Sequence, residues 1–308
     1  MTTSFIEVQF PVSKVSKESY KERKAGASQT LTSLGKWWGR KPLILVRATI
    51  LGLLMPASGN PEKDRDIFLK ILTMDDEGLL KRKDKPIPVP LLESFATEEE
   101  KEHWFDPEGG WKKGLTREEK KEVENLIFIR NLNYDQKLEF CRRPEQMEGP
   151  SESGWQAIND HLHTHATNLQ ELVTEFGMRQ FGHVPRVGDA FCGGGSIPFE
   201  AARIGCEAFG SDLNPAAALL TWAALNIVGG GPEVHHRVKE AQEEVFKAVD
   251  QQITEWGIEH NEQGWRADAY LYCVEVTSPI NGYQVPLSPT WIISEKYRVC
   301  AVLEPDHV

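Results

Sequence analysis

Apolar residues recur at helical spacing in several stretches of the chain, and the spacing predicts where helices form. Ser13–Lys24 reads as a helix, and Leu43–Met55 has the apolar density of a buried one, stopped by Pro56. Trp155, Ile158, Leu162, Leu169, Val173 and Phe176 fall close to one helical period, which predicts helix over Trp155–Phe176. Further helices are expected over Ile197–Ile204, stopped by Gly205, and over Asn214–Ile227, stopped by Gly229, Gly230 and Gly231. Glu233–Ile258 reads as one long exposed helix, apolar at Val238, Val245, Ala248, Val249, Ile253 and Trp256. Phe5–Val12 alternates enough to predict an edge strand ended by Pro11. Val184–Phe191 and Glu207–Leu213 are short apolar runs that suit buried parallel strands, and a last β region is expected over Ala269–Ile293.

Breaks in composition divide the chain into residues 1–59, 60–150, 151–231, 232–265 and 266–308. The second of these is a charged helical insertion with proline knots at Lys81–Pro90 and Phe105–Gly114. The fold class this order predicts is α/β: a partial Rossmann-like sheet, preceded by an N-terminal mixed α/β domain and the helical insertion.

Charge alters the picture in two places. The net charge of −11 over 308 residues argues against indiscriminate coating of DNA. Residues 1–48, however, hold nine Lys or Arg against three Glu, a basic arm that either touches a DNA backbone or is a solvated helix face with a few buried arginines. Residues 232–264 are acidic and should stay away from nucleic acid. Five scattered cysteines without a secretion signal point to a reducing cytoplasm. The longest apolar stretch, Pro42–Met55, is interrupted by Arg47 and too short to span a bilayer, so no membrane association is expected.

The densest chemistry lies at Asp189-Ala-Phe-Cys-Gly-Gly-Gly195, followed by Gly-Ser-Asp212-Leu-Asn-Pro. Glycines directly after a strand let a ligand lie against bare backbone, and a carboxylate closing the next strand can take two ribose hydroxyls. A dinucleotide turn would carry a further small residue where Pro198 stands, and it would serve a pyrophosphate. Two carboxylates, Asp189 and Asp212, suit a cationic nucleoside better, which points to S-adenosylmethionine. A dinucleotide turn and a turn that holds nothing remain the alternatives.

The stretch Val187–Trp222 resembles the adenine-specific DNA methylases that carry a zinc ribbon. Phe5–Lys24 and Trp37-Trp38-Gly39-Arg40-Lys41-Pro42 resemble the N-terminal domain of the same methylases. The resemblance implies a Rossmann-like methyltransferase core in which Asp189, Phe191, Gly193, Gly194 and Gly195 contact the methionine and adenosine parts of S-adenosylmethionine. It assigns Asp212 to the ribose and Asn214 to the adenine side. Trp38 and Arg40 would sit on a loop closing over the methionine end or over a base flipped out of the duplex. The implied reaction is methylation of adenine N6 in double-stranded DNA, within a restriction-modification or phage-defence system.

The chain departs from that family in its chemistry. No polar-Pro-Pro-aromatic turn, the element that holds the acceptor amine, occurs anywhere in it, so no catalytic residue is assigned. No C-x-x-C pair exists, and Ser278 stands where a ribbon ligand is expected, so a metal-free hairpin is predicted over Tyr270–Pro289. The expectation is the front part of a methylase, truncated or split, that binds cofactor but turns over only with a partner subunit carrying the missing turn. Two rivals stand beside it: a non-catalytic DNA- or protein-binding regulatory module, and a nucleotide-dependent oxidoreductase. His161 and His165, one turn apart if helical, read as a solvated or cofactor-adjacent face. Cys192 has no paired base and is not expected to be a nucleophile.

Overall fold

Ser4 and Glu7 decide the shape of the N-terminus. Glu7 Oε2 accepts from both the Ser4 N–H and the Ser4 hydroxyl at 2.7 Å, closing a single turn, α1 (Phe5–Val8), where alternation predicted an edge strand. That turn buries Phe5 against Phe68, ring centroids 4.4 Å apart, and Pro11 then leads into α2 (Val12–Lys24). A local capping contact plus one buried ring outweighs the period-2 pattern.

The computed structural model describes residues 3–26, 29–267, 270 and 272–302. The fold is mixed α/β and about 54% helical, with small sheets. Two units are separable, Met1–Val238 and Lys239–Val308.

In the first unit, α3 (Leu43–Leu54) and α4 (Pro61–Ile71) follow α2. α3 is buried at Ile44, Ala48 and Leu51 and packs with Phe68 and Ile71 of α4 in one apolar cluster. α4 lies inside the stretch read as an insertion, yet it shares this N-terminal core. The remaining helices of that stretch are α5 (Asp76–Arg82), α6 (Val89–Phe95), α7 (Glu98–Trp104), α8 (Arg117–Arg130) and α9 (Tyr134–Glu139). They enclose a second cluster around Leu79, Leu92, Ile127 and Phe128. A fully buried ion pair, Arg82 Nη2 to Glu18 Oε1 at 2.6 Å, ties α5 to α2, and the Tyr134 hydroxyl donates to the same Glu18 oxygen at 2.8 Å.

The helix expected over Trp155–Phe176 is two helices, α10 (Glu152–Leu162) and α11 (Leu169–Phe181). The break is at His163, whose φ of +53° ends α10. Asn159 then holds the loop, donating to the Ala166 carbonyl and accepting from the Thr164 hydroxyl. His165 is therefore off the helix and does not share a face with His161. His161 Nε2 is bonded instead to Asp64 Oδ1 of α4 at 2.7 Å, which makes it a tie between helices.

β1 (Arg186–Asp189) and β2 (Glu207–Gly210) are parallel and joined through α12 (Ser196–Arg203). Their register runs from Arg186 opposite Glu207 to Asp189 opposite Gly210. Val187 and Ala208 turn inward onto the first core, while Arg186, Gly188, Glu207 and Phe209 are exposed. A wider Rossmann-like sheet is not seen among the described residues. α13 (Pro215–Ala223) follows β2 and ends in a π turn over Ala224–Val228. α14 (Gly231–Trp256) crosses the boundary between the units and has no buried residue.

In the second unit β3 (Val274–Thr277) pairs antiparallel with β4 (Gln284–Leu287), and β5 (Ile292–Ser294) with β6 (Val299–Cys300). The expected start of this region at Ala269 lies outside the described residues. Arg266 is paired with Asp250 and Glu259 at 2.7 and 2.8 Å. Cys273 and Cys300 are exposed and free. Among the described residues no three potential metal ligands come together, and no described helix is long and apolar enough to cross a membrane.

A buried ion pair reinforces the apolar contacts that join the N-terminal helices to the strand–helix–strand unit. Arg47 of α3 meets Glu200 of α12 at 2.6 Å, with side-chain exposures of 4% and 0%. The same guanidinium donates to the Pro144 and Glu145 carbonyls, each at 3.3 Å, and Arg203 supplies Glu200 with a second cation at 2.9 Å. Burial pushes the Glu200 carboxyl upward and the two arginines pull it back. Breaking such a pair on one side strands a buried charge. Glu200→Leu should therefore destabilise the protein by about 3–5 kcal/mol in urea unfolding, with Arg47→Met/Glu200→Leu recovering most of the loss.

Candidate functional site

The turn between β1 and α12 is built almost wholly from backbone and closed by its own hydrogen bonds. Cys192 N–H donates to the Ser211 carbonyl (3.0 Å) and Gly195 N–H to the Cys192 carbonyl (2.8 Å). Phe191 N–H donates to Asp189 Oδ1 (3.1 Å), and Gly193 N–H to Asp212 Oδ2 (2.9 Å). The other oxygen of Asp212 accepts from Asn214 N–H at 2.9 Å. These two N–H groups hold the Asp212 carboxyl below the usual carboxylate range. A turn that spends its N–H groups this way has few left to wrap a phosphate, and Pro198 removes one more from the first turn of α12.

Thr221 of α13 forms the floor. It is buried, its hydroxyl donates to Cys192 Sγ at 3.2 Å, and a Cβ on Gly195 would lie 3.0 Å from that hydroxyl oxygen. Cys192 is itself buried, packed as a small apolar residue with a hydroxyl partner rather than presented for attack.

Across the turn lies the Trp37–Lys41 loop, about 150 residues earlier in the chain. A Cβ on Gly193, whose φ is +49°, would stand 2.8 Å from Trp37 Nε1, and one on Gly194 would stand 2.6 Å from Arg40 Nε. Only glycine permits so close an approach at these two positions. The loop and the turn enclose a cleft of about 320 Å³, within the usual size range of small-molecule sites. Trp38, Arg40, Asp189, Phe191, Gly193 and Gly194 all line it, together with Trp37, Lys41 and Ser196. Trp38 and Phe191 are 85% and 83% exposed, leaving two aromatic faces open at its mouth.

Three of the expected site residues are not in the cleft wall. Gly195 packs on Thr221, the Asp212 oxygens accept from the Gly193 and Asn214 N–H groups, and the Asn214 side chain accepts from Ala216 N–H at 3.0 Å to cap α13. Trp37, rather than its neighbour, is the indole packed on the glycines. Thr221 was not singled out from sequence, although a hydroxyl on the inward side of an otherwise apolar helix was a legible signal.

The basic arm is largely occupied. Arg47 is buried against Glu200, Lys17 pairs with Asp135 at 2.5 Å, and Lys21 donates to the Leu138 and Cys141 carbonyls. Arg23, Lys24, Lys36 and Lys41 remain exposed.

Glu22 fixes the far end of the loop. Its carboxylate accepts from Leu43 N–H (3.0 Å) and Ile44 N–H (3.4 Å), capping α3 directly after Pro42. Burial, reinforced by the nearby charge of Glu145, pushes this carboxyl up to about 7.

Residues 9–71 match the model of a family described as protein of unknown function, DUF1156. The match covers less than half of the chain, and it spans α2 to α4 and the Trp37–Lys41 loop. No curated protein and no solved structure matches the chain.

Because the folded protein holds the Glu22 proton more tightly than an unfolded chain with a carboxyl near 4.5, the stability due to this group is complete below that pH. It is lost as pH rises through 7. Urea unfolding should show the wild type losing about 2–3 kcal/mol between about pH 5 and pH 8. Glu22→Gln should flatten most of that slope.

Proposed function

We propose that the first unit is the S-adenosylmethionine-binding part of a DNA adenine-N6 methyltransferase, with the catalytic turn supplied by another segment or subunit. The observation that carries this reading is the closure of the Trp37–Lys41 loop onto Gly193 and Gly194. Two stretches that separately resemble zinc-ribbon adenine methylases, far apart in sequence, form the two walls of one cleft. In this reading β1, α12 and β2 open a Rossmann-like methyltransferase sheet.

The electrostatics favour this ligand over a dinucleotide. The turn's N–H groups are mostly consumed internally, which disfavours pyrophosphate, while Asp189 suits a sulfonium and the exposed Phe191 ring a flat base. The Asp212 oxygens each accept one N–H, and a carboxylate oxygen can accept more than one hydrogen bond, so ribose hydroxyls can add to the existing set. The protein's part in methyl transfer is then proximity: it holds sulfur, methyl and an incoming amine in line.

A partner is supported by the bare outward side of the unit. Phe209, Leu213, Leu219 and Trp222 are 66%, 96%, 64% and 55% exposed, and parallel strands are ordinarily covered on both faces. The setting proposed for such an enzyme is restriction-modification or phage defence, in the cytoplasm.

Calorimetry should register binding of S-adenosylmethionine and none of NAD; the reverse preference would overturn the reading. Asp212→Ala should weaken cofactor binding by about ten- to a hundredfold. Gly194→Ala, which forces a methyl group into Arg40 and Trp37, should abolish it while adding little change to far-UV circular dichroism.

A further inference from the structure

Arg40 is the least satisfied charged side chain at the cleft. Its Nε and Nη2 are shielded from solvent and have no hydrogen-bond partner, although an arginine out of water ordinarily finds a carboxylate or a row of carbonyls. Desolvation correspondingly depresses its pKa from the usual arginine value. It does not relieve the cost by stacking, since Lys36 is the cation that lies over the Trp38 ring, at 5.3 Å. Its Nε points at Gly194, where the missing side chain leaves backbone open to the same space.

The geometry points to Arg40 as the fork that receives a ligand carboxylate in this cleft. The opposite sign is present too: Asp189 lines the same cleft and spends one oxygen on Phe191 N–H. A cation at one place and an anion at another select a zwitterionic amino-acid group, whereas a phosphate would be attracted by Arg40 and repelled by Asp189. A planar guanidinium matches the two oxygens of a carboxylate in a bidentate contact that a lysine cannot reproduce. Arg40 is thus a specificity residue that reads the carboxylate of the methionine end and leaves the nucleoside to the turn and the aromatic rings. This inference rests on the cofactor reading above and adds which group Arg40 binds.

The test is calorimetry with two ligands, S-adenosylmethionine and its decarboxylated analogue, which keeps the nucleoside, sulfonium and amine. The wild type should prefer the carboxylated ligand by about ten- to a hundredfold. Arg40→Met should lose that preference, weakening S-adenosylmethionine by about the same factor and leaving the analogue within about twofold. Arg40→Lys, which keeps the charge and the bulk of the side chain, should fall between them and serves if the Met variant unfolds. Equal weakening of both ligands by Arg40→Met, or of neither, overturns the assignment of the carboxylate to Arg40 while leaving cofactor binding intact. A wild type that binds neither ligand overturns the cofactor reading itself.

Discussion

The Arg47–Glu200 pair is the contact on which the rest of the first unit depends. It joins a helix from the N-terminal stretch to the helix that begins at the glycine turn, and both partners are out of water. Buried charges are costly unless fully paired, so this pair tolerates little slack. The carbonyls of Pro144 and Glu145 and the second cation at Arg203 complete it. With α3 fixed on α12, the loop that precedes α3 has one place to go: over Gly193 and Gly194. The cleft is a consequence of helix docking, with Glu22 holding the start of α3 from below.

The turn spends on itself most of the groups that usually greet anions. A glycine turn at a helix N-terminus ordinarily offers free N–H groups. Here Asp212, Asp189 and two carbonyls accept most of them, Pro198 removes another, and the adjacent space is lined by an acid and by ring faces. The fold element is placed as in a phosphate cradle, but it offers fewer free N–H groups. Beside Lys41 on the cleft wall stands Arg40, whose Nε and Nη2 lack protein partners.

The first unit has three apolar clusters, two large ones and a small one formed by Leu31, Leu43, Phe199 and Ala224. The cluster around Phe68, Leu51 and Ala201 carries the cleft. The cluster around Phe128 and Leu92 is joined to it by the buried Glu18–Arg82 pair. Ion pairs thus sit at both seams, where apolar contact alone would fix position less sharply. On the outward side of the two-stranded sheet, by contrast, Phe209 is exposed, as are Leu213 after it and Leu219 and Trp222 on α13.

Sequence alone determined part of the local structure of the first unit, outside the helices of residues 60–150. The spacing of apolar residues located α2, α3, α12 and α13 closely, because these helices bury a face and carry a proline or glycine stop. The glycine turn was legible as a strand-to-helix turn that closes tightly on its surroundings, since glycine there answers a backbone need. Local competition was harder to read: the Ser4–Glu7 contact turned an alternating segment into a helical turn, and Asn159 broke the Trp155–Phe176 stretch at His163. What only the tertiary structure decided is which distant groups meet. Nothing in the spacing of Trp37 and Arg40 places them 2.8 and 2.6 Å from methyl positions that Gly193 and Gly194 lack, or pairs Asp212 with the Gly193 N–H. Those facts follow from the packing of α3 on α12, and such packing is set by the shape and charge of whole surfaces, which no window of neighbouring residues contains.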